Sequence, residues 1–251
     1  MRTAISVALI LLISIASQAA RAADKADLDR LLKTGHCQDC DLSGAQIEDA
    51  YGYPLDLSRA ILSGANLSGA SFANGTRLDG ANLSYADLTG AYLARAVLYK
   101  ADLRHAKMKG TNFSMAVLSG ANMYGADLSG AFMRRTQMKG VSLKGARLVG
   151  TDLFQANMMK AVLYSANLTD AVLTSVVMIE ANLISANLTG ARADYLDLRG
   201  AEMMYANLTG VDLTQAWITK VEGAPWPAPN MDNAKFCRTL MPGRRLDNSG
   251  C

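Results

Sequence analysis

Aromatic side chains make up only 6% of the 251 residues. A core cannot rest on stacked Phe, Tyr and Trp here; it must use small and medium side chains, which a 50% apolar content supplies. Histidine occurs twice, at His36 and His105, in unrelated places. A structural zinc centre needs four ligands, so metal and acid–base chemistry based on His has little to work with. No glycine-rich phosphate loop and no cluster at metal-ligand spacing occurs. After the first twenty residues no stretch is apolar enough to span a bilayer, which takes about 20 residues. Cysteine is confined to Cys37, Cys40, Cys237 and Cys251, all near the two ends. Together these absences point away from an enzyme.

The chain opens MRTAISVALILLISIASQAARAAD. Arg2 supplies a charged start, Ala4 to Ala16 is broken only by Ser6 and Ser14, and Ala20-Arg21-Ala22 is a small-x-small site. That order predicts a secretory signal peptide over 1–22, cleaved after Ala22, and a periplasmic or extracellular mature protein. Removing Arg2 and Arg21 from the 25 basic residues leaves 23 against 22 acidic ones, a net charge of +1. The total therefore demands no strongly charged partner.

What is present is a five-residue period. Residues 116–133 read AVLSGANMYGADLSGAFM. The slots are small, polar, centre, fourth and fifth, and one register runs unbroken from Thr76 to Lys220. Of its 29 centres 19 are Leu and seven Met, the others being Phe113, Ala193 and Ile218; the small slot is Ala in 21. In a helix five residues advance by about 140°, scattering the centres around the surface. In a strand an odd period sends successive centres to opposite faces. The centres come together only if the chain turns a corner in every repeat, and Gly, Asn, Asp and Ser in the other slots suit such corners. The period is that of a stacked repeat.

The fifth slot sets the number of sides. Sorted by every fourth frame, one class has Gly at 90, 110, 130, 150, 190 and 210, with only Asp170 departing. A second class has none: Arg95, Met115, Arg135, Gln155, Ser175, Tyr195 and Gln215. A 20-residue super-period follows, and a four-sided coil with one corner at positive φ would account for it. Asp87, Lys107, Asp127 and Arg147 share one slot at 20-residue spacing and alternate in sign, as stacked neighbours should.

Runs such as SGANLSGA, ADLTGA and YSANLTDA resemble the pentapeptide-repeat family, with its A(D/N)Lxx pattern, over roughly residues 40–220. The resemblance implies an all-β solenoid, a right-handed four-sided β-helix with four repeats to a coil. Earlier centres at Leu42, Ile47, Leu57, Leu62, Leu67 and Phe72 extend it to about nine coils over 37–220, or roughly 43 Å of stack. The pattern breaks at Ala50–Pro54, where Gly52 takes a centre slot, at the extra residue Gly75, and at Ala193/Leu196, where large and small side chains have changed places.

Two caps should close the stack, since raw backbone edges invite aggregation. Residues 23–36 read as a short helix with Leu28, Leu31 and Leu32 on one face and Gly35 as its stop. Past Lys220 the repeat ends, Pro225, Pro227 and Pro229 flank Trp226, and 221–251 reads as a C-terminal cap. In an oxidising compartment the cysteines should pair; the simplest of three connectivities is Cys37–Cys40 with Cys237–Cys251. A redox dithiol or metal site at HCQDC is the alternative, without a βαβ context or further ligands to support it.

Charge is unevenly spread. Residues 24–94 carry 5 basic and 10 acidic groups, 95–147 carry 10 and 2, and 148–218 carry 3 and 7. The basic band includes Arg95, Lys100, Arg104, Lys107, Lys109, Arg134, Arg135, Lys139, Lys144 and Arg147. With four sides it forms a belt; Arg95, Arg104, Arg134, Arg135, Lys144 and Arg147 are the candidate surface for an acidic protein, polysaccharide or lipid. Met159, Val162, Tyr164, Val177, Ile179 and Ile184 form a smaller apolar cluster on two adjacent sides. The expected function is a non-catalytic exported rod, without cofactor or metal, binding a protein or an anionic envelope component, as monomer or dimer. A structural spacer is the alternative. Some members of the family mimic nucleic acid toward a topoisomerase, but that role wants a continuous acidic surface, and the middle of this chain is basic.

Overall fold

The computed structural model describes residues 23–45, 47, 54–72 and 75–218, and the backbone of two short strands beyond them. The leader, Gly52, Cys237 and Cys251 lie outside the described residues. The chain winds into a four-sided β-solenoid. Each side contributes one polar-slot residue to a parallel ladder, and four ladders run the length of the stack. Side 1 carries His36, Asp56, Arg77, Val97, Val117 and so on to Trp217; side 2 Asp41, Ile61, Asn82 and Asp102; side 3 Asn66, Asp87, Lys107 and Asp127; side 4 Ser71, Tyr92, Asn112 and Phe132. Partners are 20 residues apart except across Gly75, where all four ladders step by 21. The extra residue is thus absorbed at a corner, with Gly75 at φ +90 and no ladder interrupted.

Three hydrogen bonds per side join each coil to the next. On side 1 the Val97 N–H donates to the Thr76 carbonyl at 2.9 Å, Leu78 N–H to the Val97 carbonyl at 2.7 Å, and Gly80 N–H to the Tyr99 carbonyl at 2.8 Å. Corners close when the small-slot N–H reaches the centre carbonyl three residues back, as from Ala81 to Leu78 at 3.0 Å. The polar slot assists: its Asn or Asp Oδ1 accepts the N–H two residues on, as Asn82 does from Ser84 at 3.1 Å. This is the physical reason for Asn and Asp in that slot, since their short side chains bond to nearby backbone.

Every fifth slot from Gly80 to Gln215 has positive φ, so all four corners are left-handed turns, not one. Gly90 at +67 and Arg95 at +61 share one conformation. A Cβ on Gly90, Gly110, Gly130 or Gly150 would meet nothing within 4 Å, and only at Gly190 would it clash, 2.5 Å from Asp170 Oδ1, so crowding does not explain the glycine preference of that corner as a whole.

Centre and small slots face inward and are buried along the stack. Thr in a small slot keeps its hydroxyl satisfied: Thr111 Oγ1 donates to the Leu88 carbonyl at 2.6 Å and Thr151 Oγ1 to that of Leu128 at 2.8 Å. Ala193 and Leu196 are both fully buried, and Ala193 N–H still reaches the Asp212 carbonyl at 2.8 Å. The size exchange is therefore absorbed inside the core. Helix α1 (Lys25–Thr34) starts at Asp24, whose side chain accepts from the Ala26 and Asp27 N–H groups, and stops at Gly35 with φ +69. It buries Leu31 and is tied to the first coil by Asp24 N–H to the Asp41 carbonyl (2.9 Å) and Asp41 N–H to Asp27 Oδ2 (2.8 Å). Strands β1 (Thr239–Met241) and β2 (Arg245–Asp247) pair antiparallel. Among the described residues no helix is long and apolar enough to cross a membrane.

Candidate functional site

With the interior filled by Leu, Met and Ala, the chemistry available to a partner lies on the outer slots. The basic band is on all four sides, but its cations are not equivalent. Arg104 binds Asp102 at 2.6 Å, Lys107 approaches Asp87 at 3.9 Å, Lys109 Asp127 at 3.4 Å, and Arg134 Asp152 at 3.4 Å. The sign alternation along side 3 is thus only partly realised as contacts: Asp127 pairs with Lys109 beside its column, and Arg147 Nε donates to Ser129 Oγ at 3.2 Å.

Among the described residues Arg95, Lys100, Arg135, Lys139, Lys144 and Arg147 form no ion pair with a carboxylate. Arg135 Nε donates to Gln155 Oε1 at 2.9 Å, Lys100 lies 5.1 Å from the Tyr99 ring centre and Lys144 5.4 Å from that of Tyr164. Of the six candidate residues read from sequence, Arg104 and Arg134 are therefore neutralised by acids, whereas Arg95, Arg135, Lys144 and Arg147 keep a net charge to offer.

The paired carboxylates are shifted. Hydrogen bonds from Arg104 hold the Asp102 carboxyl below its ordinary value, against the upward push of burial. At Asp87 burial pushes upward most strongly, yet bonds from the Thr89 hydroxyl and N–H, together with Lys107, leave it lowered. Asp127 behaves alike, with Ser129 and Lys109 outweighing burial.

Neighbours at 20-residue spacing also bring aromatic rings together. His105 stacks on Tyr85, centroids 5.1 Å apart, and meets the edge of Tyr124 at 5.2 Å. His105 is exposed, yet its ring packs against both tyrosines. Its ring lies over Gly125, where a Cβ would come within 2.7 Å of Nδ1. The common slot of Tyr85, His105 and Gly125 was the signal for this in the sequence. The apolar cluster divides between two sides: Met159, Val177 and Ile179 belong to side 1, Val162, Tyr164 and Ile184 to side 2.

At the N-terminal end a disulfide joins Cys37 and Cys40, both fully buried. Arg30 Nη2 lies 2.6 Å from Cys40 Sγ and donates to the Gln38 carbonyl at 3.3 Å. Asp27 approaches the two sulfurs within 4.8 Å, but sulfurs bonded to one another offer no thiolate to a metal. The bridge ties the turn beneath α1.

Among solved structures, HetL, a pentapeptide repeat protein involved in heterocyst differentiation regulation in the cyanobacterium Nostoc sp. strain PCC 7120, is 23% identical, covering 84% of this chain and 91% of its own, at a TM-score of 0.40. QnrB1, a plasmid-mediated fluoroquinolone resistance protein, is 20% identical over 72% of this chain and 79% of its own, at 0.41. A pentapeptide repeat protein from the Arabidopsis thaliana thylakoid lumen is 28% identical over 44% of this chain and 70% of its own, at 0.27. No curated protein matches the sequence significantly. The family model for pentapeptide repeats matches in eight copies that together span residues 55–216. The chain belongs to the pentapeptide repeat family.

Proposed function

We propose that the chain is a non-catalytic exported rod, a right-handed four-sided β-helix of about nine coils closed at both ends, whose outer faces bind a protein or an anionic component of the cell envelope. The observation that carries this reading is the division of labour between slots. Centre and small slots are buried, and the polar, fourth and fifth slots hold the charged side chains and, apart from the core residues Phe72 and Phe113, the aromatic ones. Enzymes and small-ligand proteins work in concave pockets, and a filled stack instead offers extended faces. The leader sequence supports export, and the unpaired cations of the middle coils support an acidic partner.

Crosslinking of the protein in its native compartment, read by mass spectrometry, tests the proposal. An Arg134→Glu/Arg135→Glu/Lys144→Glu/Arg147→Glu variant runs in parallel. A partner captured by the wild type and lost in the variant is the expected result. Absence of any enriched partner overturns binding in favour of a structural spacer. A mature N-terminus other than Ala23, found on the exported protein, would refute cleavage after Ala22.

A further inference from the structure

Ion pairing reshapes the basic belt. Four of the six cations without a carboxylate partner, Arg95, Lys100, Arg135 and Lys139, lie on side 1 or on the corner that leads into it. The segments that form this part of the face are 95–101, 115–121 and 135–141, and none contains an Asp or Glu. On either side of this patch acids of the same side are matched: Asp79 by Arg77 at 3.1 Å in the coil before it, and Glu180 by Lys160 at 3.2 Å and Asp197 by Arg199 at 2.7 Å in the coils after it. Side 1 is thus basic in its middle and zwitterionic on either side of it.

The same patch is apolar between its cations. Val97 and Val117 are ladder partners on side 1. Tyr99 is 45% exposed and Met115, at the leading corner, 46%. Met159, Val177 and Ile179 continue the apolar character along that side.

We infer that side 1 docks on the surface of an anionic phospholipid bilayer, with Arg95, Lys100, Arg135 and Lys139 on lipid phosphates and Val97, Tyr99, Met115 and Val117 against the headgroup boundary. This deepens the binding reading above and rests on it. Two features favour a bilayer. The side is a single parallel ladder whose corners turn away on both edges, so it presents a flat strip with no groove to enclose a peptide. Its basic and apolar groups are interleaved, which fits a surface whose phosphates lie above an apolar interior. Amphipathic tyrosine rings sit at that level. A polysaccharide or nucleic acid would match the cations but leave the valines and Met115 without apolar partners.

The test is flotation of the full mature chain with vesicles of phosphatidylglycerol and phosphatidylcholine, and with vesicles of phosphatidylcholine alone. Binding to the anionic vesicles only is expected. An Arg95→Gln/Lys100→Gln/Arg135→Gln/Lys139→Gln variant should lose several-hundred-fold in partitioning, at about fivefold per cation. A control of equal charge change, Lys107→Gln/Lys109→Gln/Lys144→Gln/Arg147→Gln, removes cations from sides 2 and 3 and should retain most of the binding. Met115→Ala, a single change with little demand on folding, should weaken binding several-fold without altering selectivity for anionic lipid. No binding by the wild type, or equal losses in both quadruple variants, overturns the inference. If vesicles fail while the native-compartment crosslink persists, the bilayer is excluded and the protein-binding reading survives.

Discussion

Replacing Gly125 and Gly130 by Ala, one at a time, separates the cost of a left-handed corner from the cost of what lies on it. Both residues have positive φ, +64 and +66. At Gly130 a Cβ would meet nothing within 4 Å, so only backbone strain is added. An L-residue in this region costs about 1–2 kcal/mol, partly offset by the smaller entropy loss of Ala relative to Gly, so Gly130→Ala should destabilise by about 1 kcal/mol. At Gly125 the Cβ would come within 2.7 Å of Nδ1 and 2.9 Å of Cε1 of His105, so that ring must swing away. It then leaves Tyr85 and Tyr124, contacts worth about 0.5–1.5 kcal/mol for an aromatic pair. Gly125→Ala should therefore cost about 2 kcal/mol. In a His105→Ala background the two glycine substitutions should cost the same, giving a coupling of about 1 kcal/mol between Gly125 and His105. Urea unfolding followed by far-ultraviolet circular dichroism reads the wild type and all five variants. Equal costs at Gly125 and Gly130 in the wild-type background would refute the ring placement, and no cost at either would refute the left-handed corners.

Leu128, a fully buried centre, should cost about 2–5 kcal/mol when changed to Ala, measured by the same unfolding curves. Enlarging the small slot at Ala126→Leu should overpack the core and destabilise by about 1–3 kcal/mol. Acid should weaken the fold through Asp87, Asp102 and Asp127, whose carboxyls are lowered in the folded chain. Their contribution is complete above the ordinary carboxylate pKa of about 3.9 and is lost as pH falls through the lower folded values. Thermal scans from pH 6 to pH 2 should show the decline only below about pH 4. Thiol labelling of the native protein without reductant should miss Cys37 and Cys40, and label them after reduction.

The period of five and the super-period of 20 were legible because each slot has a fixed environment. Leu83, Leu88 and Leu93 recur since every centre points inward, and Asn82 and Asp87 recur since their carbonyl or carboxyl oxygen fastens the turn that follows. Helix α1 was legible from the spacing of its leucines and its Gly35 stop. The corner chemistry was misjudged because glycine frequency is an uncertain guide to φ. Arg95, Tyr195 and Gln215 sit in the left-handed region that Gly90 occupies, held there by ladder bonds on both sides of the corner. The surface was legible only as charge. Whether a lysine stands alone depends on which carboxylate the coil brings near it: Lys109 reaches Asp127, 18 residues on, and Lys100 finds no acid. Folding divides a belt of ten cations into four that meet an acid and six that do not, four of the six on side 1 or the corner leading into it, and a count along the chain cannot show that.

The most direct measurement is disulfide trapping of ladder partners. Val97 and Val117 face each other across adjacent coils of side 1, where neighbouring strands lie about 4.8 Å apart, within the Cα separation a disulfide accepts. A Val97→Cys/Val117→Cys variant, oxidised and mapped by peptide mass spectrometry, should form the 97–117 crosslink. A Val97→Cys/Asn112→Cys variant, closer in sequence but on different sides, should keep both thiols free. The reverse pattern would contradict a four-sided coil of 20 residues and every surface assignment built on it.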